Sequence, residues 1–259
     1  MSTHIVIPDT QVKPGVPIEH LGWIGQYIVD KWAGKEDIKV IHLGDHWDMP
    51  SLSSYDKGKK AMEGRRYMAD IDAGNEGMRI LMQPMQQYND RRKMYKEKLW
   101  KPELHFLDGN HEDRVTRACD SDAQLDGLLS LNHMEVEQHG WTRHPFLKVV
   151  WLDGIAYSHY FYAPLSGRPY GSLIETRLRT IGHSFTMGHQ QVLLYGIRYV
   201  AGRSQHGLVA GSAYLHDEDY RGYQGNDHWR GIVVKHEVED GSYDPMFVSL
   251  KYLQKRYAG

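Results

Sequence analysis

The chain has 259 residues, 41% of them hydrophobic and 25% charged, enough to bury a sizeable core within one large domain. A formal net charge of −2 leaves none of the overall basic excess typical of binders of long nucleic acid, and a single cysteine, Cys119, excludes an intrachain disulfide framework and a cysteine-based zinc cage. No apolar run approaches the roughly 18 residues of a membrane span, and the opening Met-Ser-Thr-His-Ile-Val-Ile has no basic region leading into a long apolar core, so no membrane partner and a cytoplasmic setting are expected.

His4 to Pro8 reads as a short buried strand ending in the loop that carries Asp9. Ile18, Leu21, Ile24, Ile28, Val29 and Trp32 then fall on one helical face, predicting a helix over 18–33. A second strand, Ile38 to Leu43, ends at Gly44-Asp45, and strand, helix, strand at this spacing marks a βαβ unit. Residues 49–102 change in texture: they are charged and Met-rich, with dense Lys and Arg at 57–66 and 91–101. Two helical segments are expected there, 59–73 and 76–100, as a helical insertion that is either a solvated hairpin packed on the core or a cap beside a cleft. Leu104 to Leu107 resumes as a strand, and a helix is expected around 121–132. Shorter strand-like pieces follow at 147–152, 154–159, 184–188, 191–200, 206–211, 230–238 and 245–253, with a loop at 216–227. Alternating strand and helix in front of a strand-rich back half predicts two facing sheets with helices outside.

Five short polar blocks stand where apolar runs give way: Asp9-Thr10-Gln11, Gly44-Asp45-His46-Trp47-Asp48, Gly109-Asn110-His111-Glu112, His159, and Gly188-His189-Gln190-Gln191. Each alone has an ordinary explanation. Gly-Asp pairs suit turns, Asn caps helices, and a lone histidine is commonly a satisfied core residue. Together they supply carboxylate, imidazole and amide oxygen, the ligand types that hold divalent ions at hydrolytic sites.

Gly-Asp-x-x-Asp followed by Gly-Asn-His-Glu, each after a strand, resembles the calcineurin-like metallophosphoesterase superfamily, and the resemblance runs from Asp9 to Gln191. It implies one domain over 1–259, an α/β (α+β) four-layer metallophosphoesterase-like β-sandwich of two mixed sheets flanked by helices, with 49–102 as a helical insertion. It also implies a two-metal site. Asp45 would bridge the two cations, Asp9 would bind the first, and Asn110, His159 and His189 the second. A metal-bridging hydroxide would attack the phosphorus while His111, held by Asp48, assists the leaving oxygen. Arg114 would reach a phosphate oxygen, unless it is a surface arginine on a helix.

The chain departs from that pattern at two places. The first block usually reads Asp-x-His and the last Gly-His-x-His, whereas here glutamine occupies both second positions, Gln11 and Gln191. Both replacements fall on the first metal, so a set of Asp9, Asp45, Gln11 and Gln191 would suit Mn²⁺, Mg²⁺ or Ca²⁺ better than zinc or iron and hold it loosely. The alternative is that the glutamines only hydrogen-bond nearby. His183 is a second candidate for the role given to His189.

The function expected is a Mn²⁺- or Mg²⁺-dependent phosphoesterase acting on phosphodiesters or phosphomonoesters, with a nucleotide, DNA or RNA as partner. Trp47, Tyr55, Tyr160, Phe161 and Tyr162 are candidate base-stacking residues and the two basic segments candidate walls of a strand-binding groove. The alternative is a catalytically weak or inactive metallophosphoesterase fold that serves as a binding or scaffold module.

Overall fold

The computed structural model describes residues 1–218 and 222–259, with backbone alone at 55, 61 and 223. Strands β1 (Ser2–Ile7), β2 (Ile38–His42), β3 (Glu103–Leu107) and β4 (Thr142–His144) lie in the first sheet, while β5 (Val150–Leu152), β6 (Ile155–Tyr157), β7 (Phe185–Met187), β8 (Leu193–Val200) and β9 (Arg203–Ala210) form the second. β10 (Gly231–Glu239) and β11 (Ser242–Ser249) return to the first sheet, giving orders β11-β10-β1-β2-β3-β4 and β5-β6-β7-β9-β8. Both sheets are mixed: β1 to β4 run parallel, as do β6, β7 and β9, with antiparallel partners at the edges.

Helices α1 (Glu19–Trp32), α2 (Tyr67–Met94), α3 (Asp113–Ser121), α4 (Ile174–Ile181), α5 (Gly222–Asn226) and α6 (Leu250–Tyr257) complete the chain. Side chains alternate across β1, so Ile5 and Ile7 join a core shared with Leu21 and Ile24 of α1, Met78 and Leu81 of α2 and Leu253 of α6. Val6 faces the other way, into an inter-sheet core with Ile41, Leu107, Tyr157 and Leu208. A third core packs Leu178 of α4 on Phe185, Met187 and Val209. Helix, sheet, sheet, helix: the molecule is a four-layer metallophosphoesterase-like sandwich.

Several local expectations need correction. Residues 67–94 form one 28-residue helix rather than two, because Gly74 and Gly77 are used for close packing, not for a break. A Cβ at Gly74 would meet Trp47 at 1.9 Å, and one at Gly25 would meet the Leu81 carbonyl at 2.2 Å. The helix expected at 121–132 is instead α3, starting at Asp113, where the Asp113 N–H donates to the Gly109 carbonyl. β4 and α4 were not foreseen, and the strand drawn through 245–253 ends at Ser249, whose Oγ accepts from Tyr252 N at 3.2 Å and caps α6. The loop expected over 216–227 contains α5, with residues 219–221 outside the described set.

Candidate metal centre

Asp9 follows β1, Asp45 follows β2, Asn110 follows β3, His159 follows β6 and His189 follows β7. All five lie beyond the carboxyl ends of strands that run parallel within their own sheet, β1 to β3 in one and β6 and β7 in the other, where crevices form in such sheets. Two glycines admit site side chains and a third admits the neighbouring backbone. A Cβ on Gly109 would fall 2.1 Å from Asp45 Oδ1, one on Gly188 would fall 2.4 Å from Asp9 Oδ1, and one on Gly44 would fall 2.4 Å from Gly109 N. Gln11, Asp45, Met49, His189 and Gln191 all take left-handed backbone with φ between 42° and 67°. Non-glycine residues rarely adopt that conformation, and its concentration around one cleft is strain of the kind found at functional sites.

Asp45, His159 and His189 each bring a ligand atom within 4.8 Å of the others. Asn110 Oδ1 completes the group, 3.0 Å from His159 Nε2 and 2.7 Å from His189 Nδ1. His159 Nδ1 lies 2.7 Å from the Leu43 carbonyl oxygen, to which it donates, so Nε2 is the nitrogen turned toward Asn110 and, at 3.4 Å, Asp45 Oδ2. One carboxylate, one amide oxygen and two imidazoles fit a Mn²⁺ or Zn²⁺ ion. Asp9 Oδ1 accepts from His189 N at 3.1 Å, whereas Asp9 Oδ2 and Gln11 Oε1 are buried with no donor among the described residues. Two such acceptors, two residues apart in sequence, fit a cation.

Charge is concentrated here. Burial, reinforced by the negative charge of Asp45, pushes the Asp9 carboxyl up to about 7. Burial works against ionisation of Asp45 as well, yet the neighbouring His111 and His159 hold it well below the usual carboxylate range. His159 rises to about 9 because Asp45 and Asp9 outweigh its burial, while burial and His159 push His189 down to about 4.

His111 stands over this group, with Nδ1 2.7 Å from Asp48 Oδ1 and Nε2 3.9 Å from Asp45 Oδ2. The Nδ1 contact is an ion pair whose N–H lies off the line to the oxygen, since Nδ1 has no hydrogen-bond partner of good geometry. Arg114 is not a loose surface residue. It donates to the carbonyls of Asp48 at 2.8 Å and Met49 at 3.2 Å, and its second nitrogen is 3.1 Å from His111 Nε2. Gln191 Oε1 accepts from Tyr214 OH at 2.9 Å. His183 lies against Trp151, at the other end of β7 from His189.

Two residues with structural weight here were not singled out from the sequence. Glu112, fully buried, accepts from the backbone N–H groups of Asp45, His46, Trp47 and Gly109 at 2.7–3.0 Å, clamping the loop after β2 to the loop after β3. Its place in Gly-Asn-His-Glu was the available signal. Lys13 Nζ lies 3.1 Å from Asp48 Oδ2 and 2.8 Å from both Glu218 oxygens, and no sequence signal announces this.

The proposed base-stacking set is largely dispersed. Trp47 is fully buried against Phe106 and Gly74, and Phe161 packs on Phe185 in the α4 core, so both are packing residues. Tyr160 lies 4.8 Å from His189, Tyr162 is exposed, and the side chain of Tyr55 is outside the described residues. The basic segments do not share one groove. Residues 63–66 border a cavity of about 580 Å³ reaching Lys13 and Glu218, whereas Arg92, Lys98 and Lys101 line another with Gly34–Asp37, beside the start of β2. A 28-residue helix separates them by about 40 Å along its length.

No family model and no curated protein matches the chain. Among solved structures it is similar to a single mutant of Vps29 from Entamoeba histolytica, with 14% identity, a TM-score of 0.41, and 95% of this chain and 98% of that chain covered. It is also similar to wild-type Vps29 complexed with zinc from the same organism, at 12% identity, TM-score 0.39, 96% and 99% covered. Vps29 from Chaetomium thermophilum follows, at 8% identity, TM-score 0.38, 96% and 99% covered. At these scores no residue role passes from them to this chain. Among the described residues no helix is long and apolar enough to cross a membrane.

Proposed function

We propose that this chain is a divalent-metal-dependent phosphoesterase. The observation that carries the reading is the meeting of Asp45, Asn110, His159 and His189 around one point, with His111 backed by Asp48 beside it. These four residues would hold the cation, with Mn²⁺ the best match to a mixed oxygen and imidazole set. A bound divalent ion supplies Lewis acidity and lowers the pKa of water. Asp45 orients its carboxylate through the His111 N–H, which donates to Oδ1 at 3.0 Å. Against burial and Arg114, Asp45 and Asp48 raise the His111 pKa, which suits the imidazole to pass a proton to a departing alkoxide. Arg114, already fixed on the backbone of Asp48, would meet a phosphate oxygen with the face it turns to His111.

The cavity beyond Lys13 is lined by Asp56, Glu63, Asp70, Asp217 and Glu218 against Lys13, Arg65 and Arg66. That acidic balance weighs against a long polyanion lying along it. A second reading, a binding or scaffold module with little turnover, is supported by Gln11 and Gln191. With glutamine at both positions, the His and carboxylate cluster among the described residues provides for a single ion. The test is a Mn²⁺-supplemented panel of aryl monoester, aryl diester, cyclic nucleotide, single-stranded and duplex DNA, run beside Asp45→Asn. Hydrolysis of at least one substrate that Asp45→Asn abolishes supports the enzyme. Stoichiometric Mn²⁺ binding with no hydrolysis of any of them supports the module.

A further inference from the structure

Resting on that cation centre, we infer that the first cation position is an all-oxygen site for a hard, partly hydrated divalent ion, made by Asp9, Asp45 and Gln11, with Gln191 outside it. The two positions would then differ in kind. The second has two imidazoles, whereas the first offers carboxylate and amide oxygen alone, the donor set of Mg²⁺, Ca²⁺ and Mn²⁺ rather than Zn²⁺.

Gln11 and Gln191 occupy equivalent places in their motifs, but their surroundings separate them. Gln11 N donates to the Asp45 carbonyl at 2.9 Å, which ties its backbone to the loop that presents the Asp45 carboxylate, and its φ of 42° is held against the strain of left-handed backbone. Its Oε1 is buried and receives no hydrogen bond from any described residue. Asp9 is similarly prepared. Its backbone carbonyl accepts from Ala213 N, its Oδ1 accepts from His189 N, and its Oδ2 is left buried without a donor. A buried acceptor with no donor is costly to leave so, and two of them two residues apart in the segment after β1 call for a positive group. Gln191 differs because Tyr214, 0% exposed, directs its hydroxyl onto Gln191 Oε1 at 2.9 Å. A buried phenol needs that acceptor, so Gln191 positions the loop rather than binding the ion.

The test uses the full chain carrying one equivalent of Zn²⁺, titrated with Tb³⁺, an oxygen-seeking probe whose emission is sensitised by nearby tyrosine or tryptophan. The expected result is Tb³⁺ binding without release of Zn²⁺. Gln11→Asn tolerates the left-handed backbone but withdraws the oxygen, and it should weaken Tb³⁺ about tenfold or more, while Gln191→Ala changes it by less than about twofold. Gln11→His should add a second Zn²⁺ retained after dialysis. Displacement of Zn²⁺ by Tb³⁺ mole for mole, or equal weakening in Gln11→Asn and Gln191→Ala, overturns the inference. Failure of the centre itself is separately visible: if wild type and His189→Ala retain Zn²⁺ equally poorly, the proposed function falls, and Tb³⁺ titration of the zinc-free chain still decides the first position.

Discussion

His111 Nδ1 lies 2.7 Å from Asp48 Oδ1, and the same carboxylate is met on its other oxygen by Lys13 at 3.1 Å. Burial opposes the charge on Asp48, but the adjacent His111 and the fields of Lys13 and Arg114 hold its carboxyl well below the usual range. His111→Ala should therefore lower the turnover of an aryl phosphodiester by about 10²- to 10⁴-fold, and Asp48→Asn by about 10- to 100-fold. Neither residue is a proposed ligand, so Mn²⁺ affinity measured by calorimetry should stay within about threefold of wild type. Loss of the metal in His111→Ala would show that the imidazole has been assigned the wrong role.

Glu112 receives four backbone N–H groups within one buried carboxylate. Glu112→Gln turns an NH₂ group onto donors that already lack any other acceptor. It should destabilise the fold by about 3 kcal/mol and loosen the loop that presents Asp45. Urea unfolding measures the first effect. An unchanged midpoint would mean that the clamp is not a structural element.

Gly109→Ala and Gly188→Ala put a methyl group 2.1 Å from Asp45 Oδ1 and 2.4 Å from Asp9 Oδ1. Carboxylate and methyl cannot share that space, so each variant should bind Mn²⁺ at least about tenfold more weakly. Gly15→Ala is the control: a Cβ there meets nothing within 4 Å, and although φ is 83° its cost is confined to local backbone strain. Equal Mn²⁺ affinity in all three variants would remove the steric argument.

Acid should weaken the fold through His4, which is 0% exposed, faces Tyr157 OH at 2.7 Å and Asp153 Oδ2 at 2.8 Å, and is pushed by burial from 6.5 down to about 4. The unfolded chain binds this proton more readily than the folded one. The contribution is therefore complete above pH 6.5 and is lost as the pH falls from 6.5 through 4, by about 3 kcal/mol in all. Thermal unfolding of wild type and His4→Gln from pH 7 to 4.5 checks it: the wild-type Tm should fall more steeply, and parallel curves would contradict the assignment.

The strand ends bearing Asp9, Asp45, Asn110, His159 and His189 were legible because apolar runs stop at glycine or at a polar residue, a local signal. The roles of Trp47 and Phe161 were not. An aromatic ring beside a motif looks the same in sequence whether it faces a ligand or fills the space over Gly74, and only the approach of α2 decides that. The single helix over Tyr67–Met94 was not legible as one element, because the gap expected at 74–75 falls where Gly74 packs against Trp47, a contact only the fold reveals. Glu112 could have been read from its motif, but its four donors come from two loops separated by more than sixty residues.

The central claim is that Asp45 and His189, distant in the chain, serve one cation. Mn²⁺ titration of wild type, Asp45→Asn and His189→Ala, followed by the electron paramagnetic resonance of free Mn²⁺, tests it most directly. The account predicts a tight site in wild type that is weakened about tenfold or more in both variants. Wild-type binding retained in either variant would contradict it.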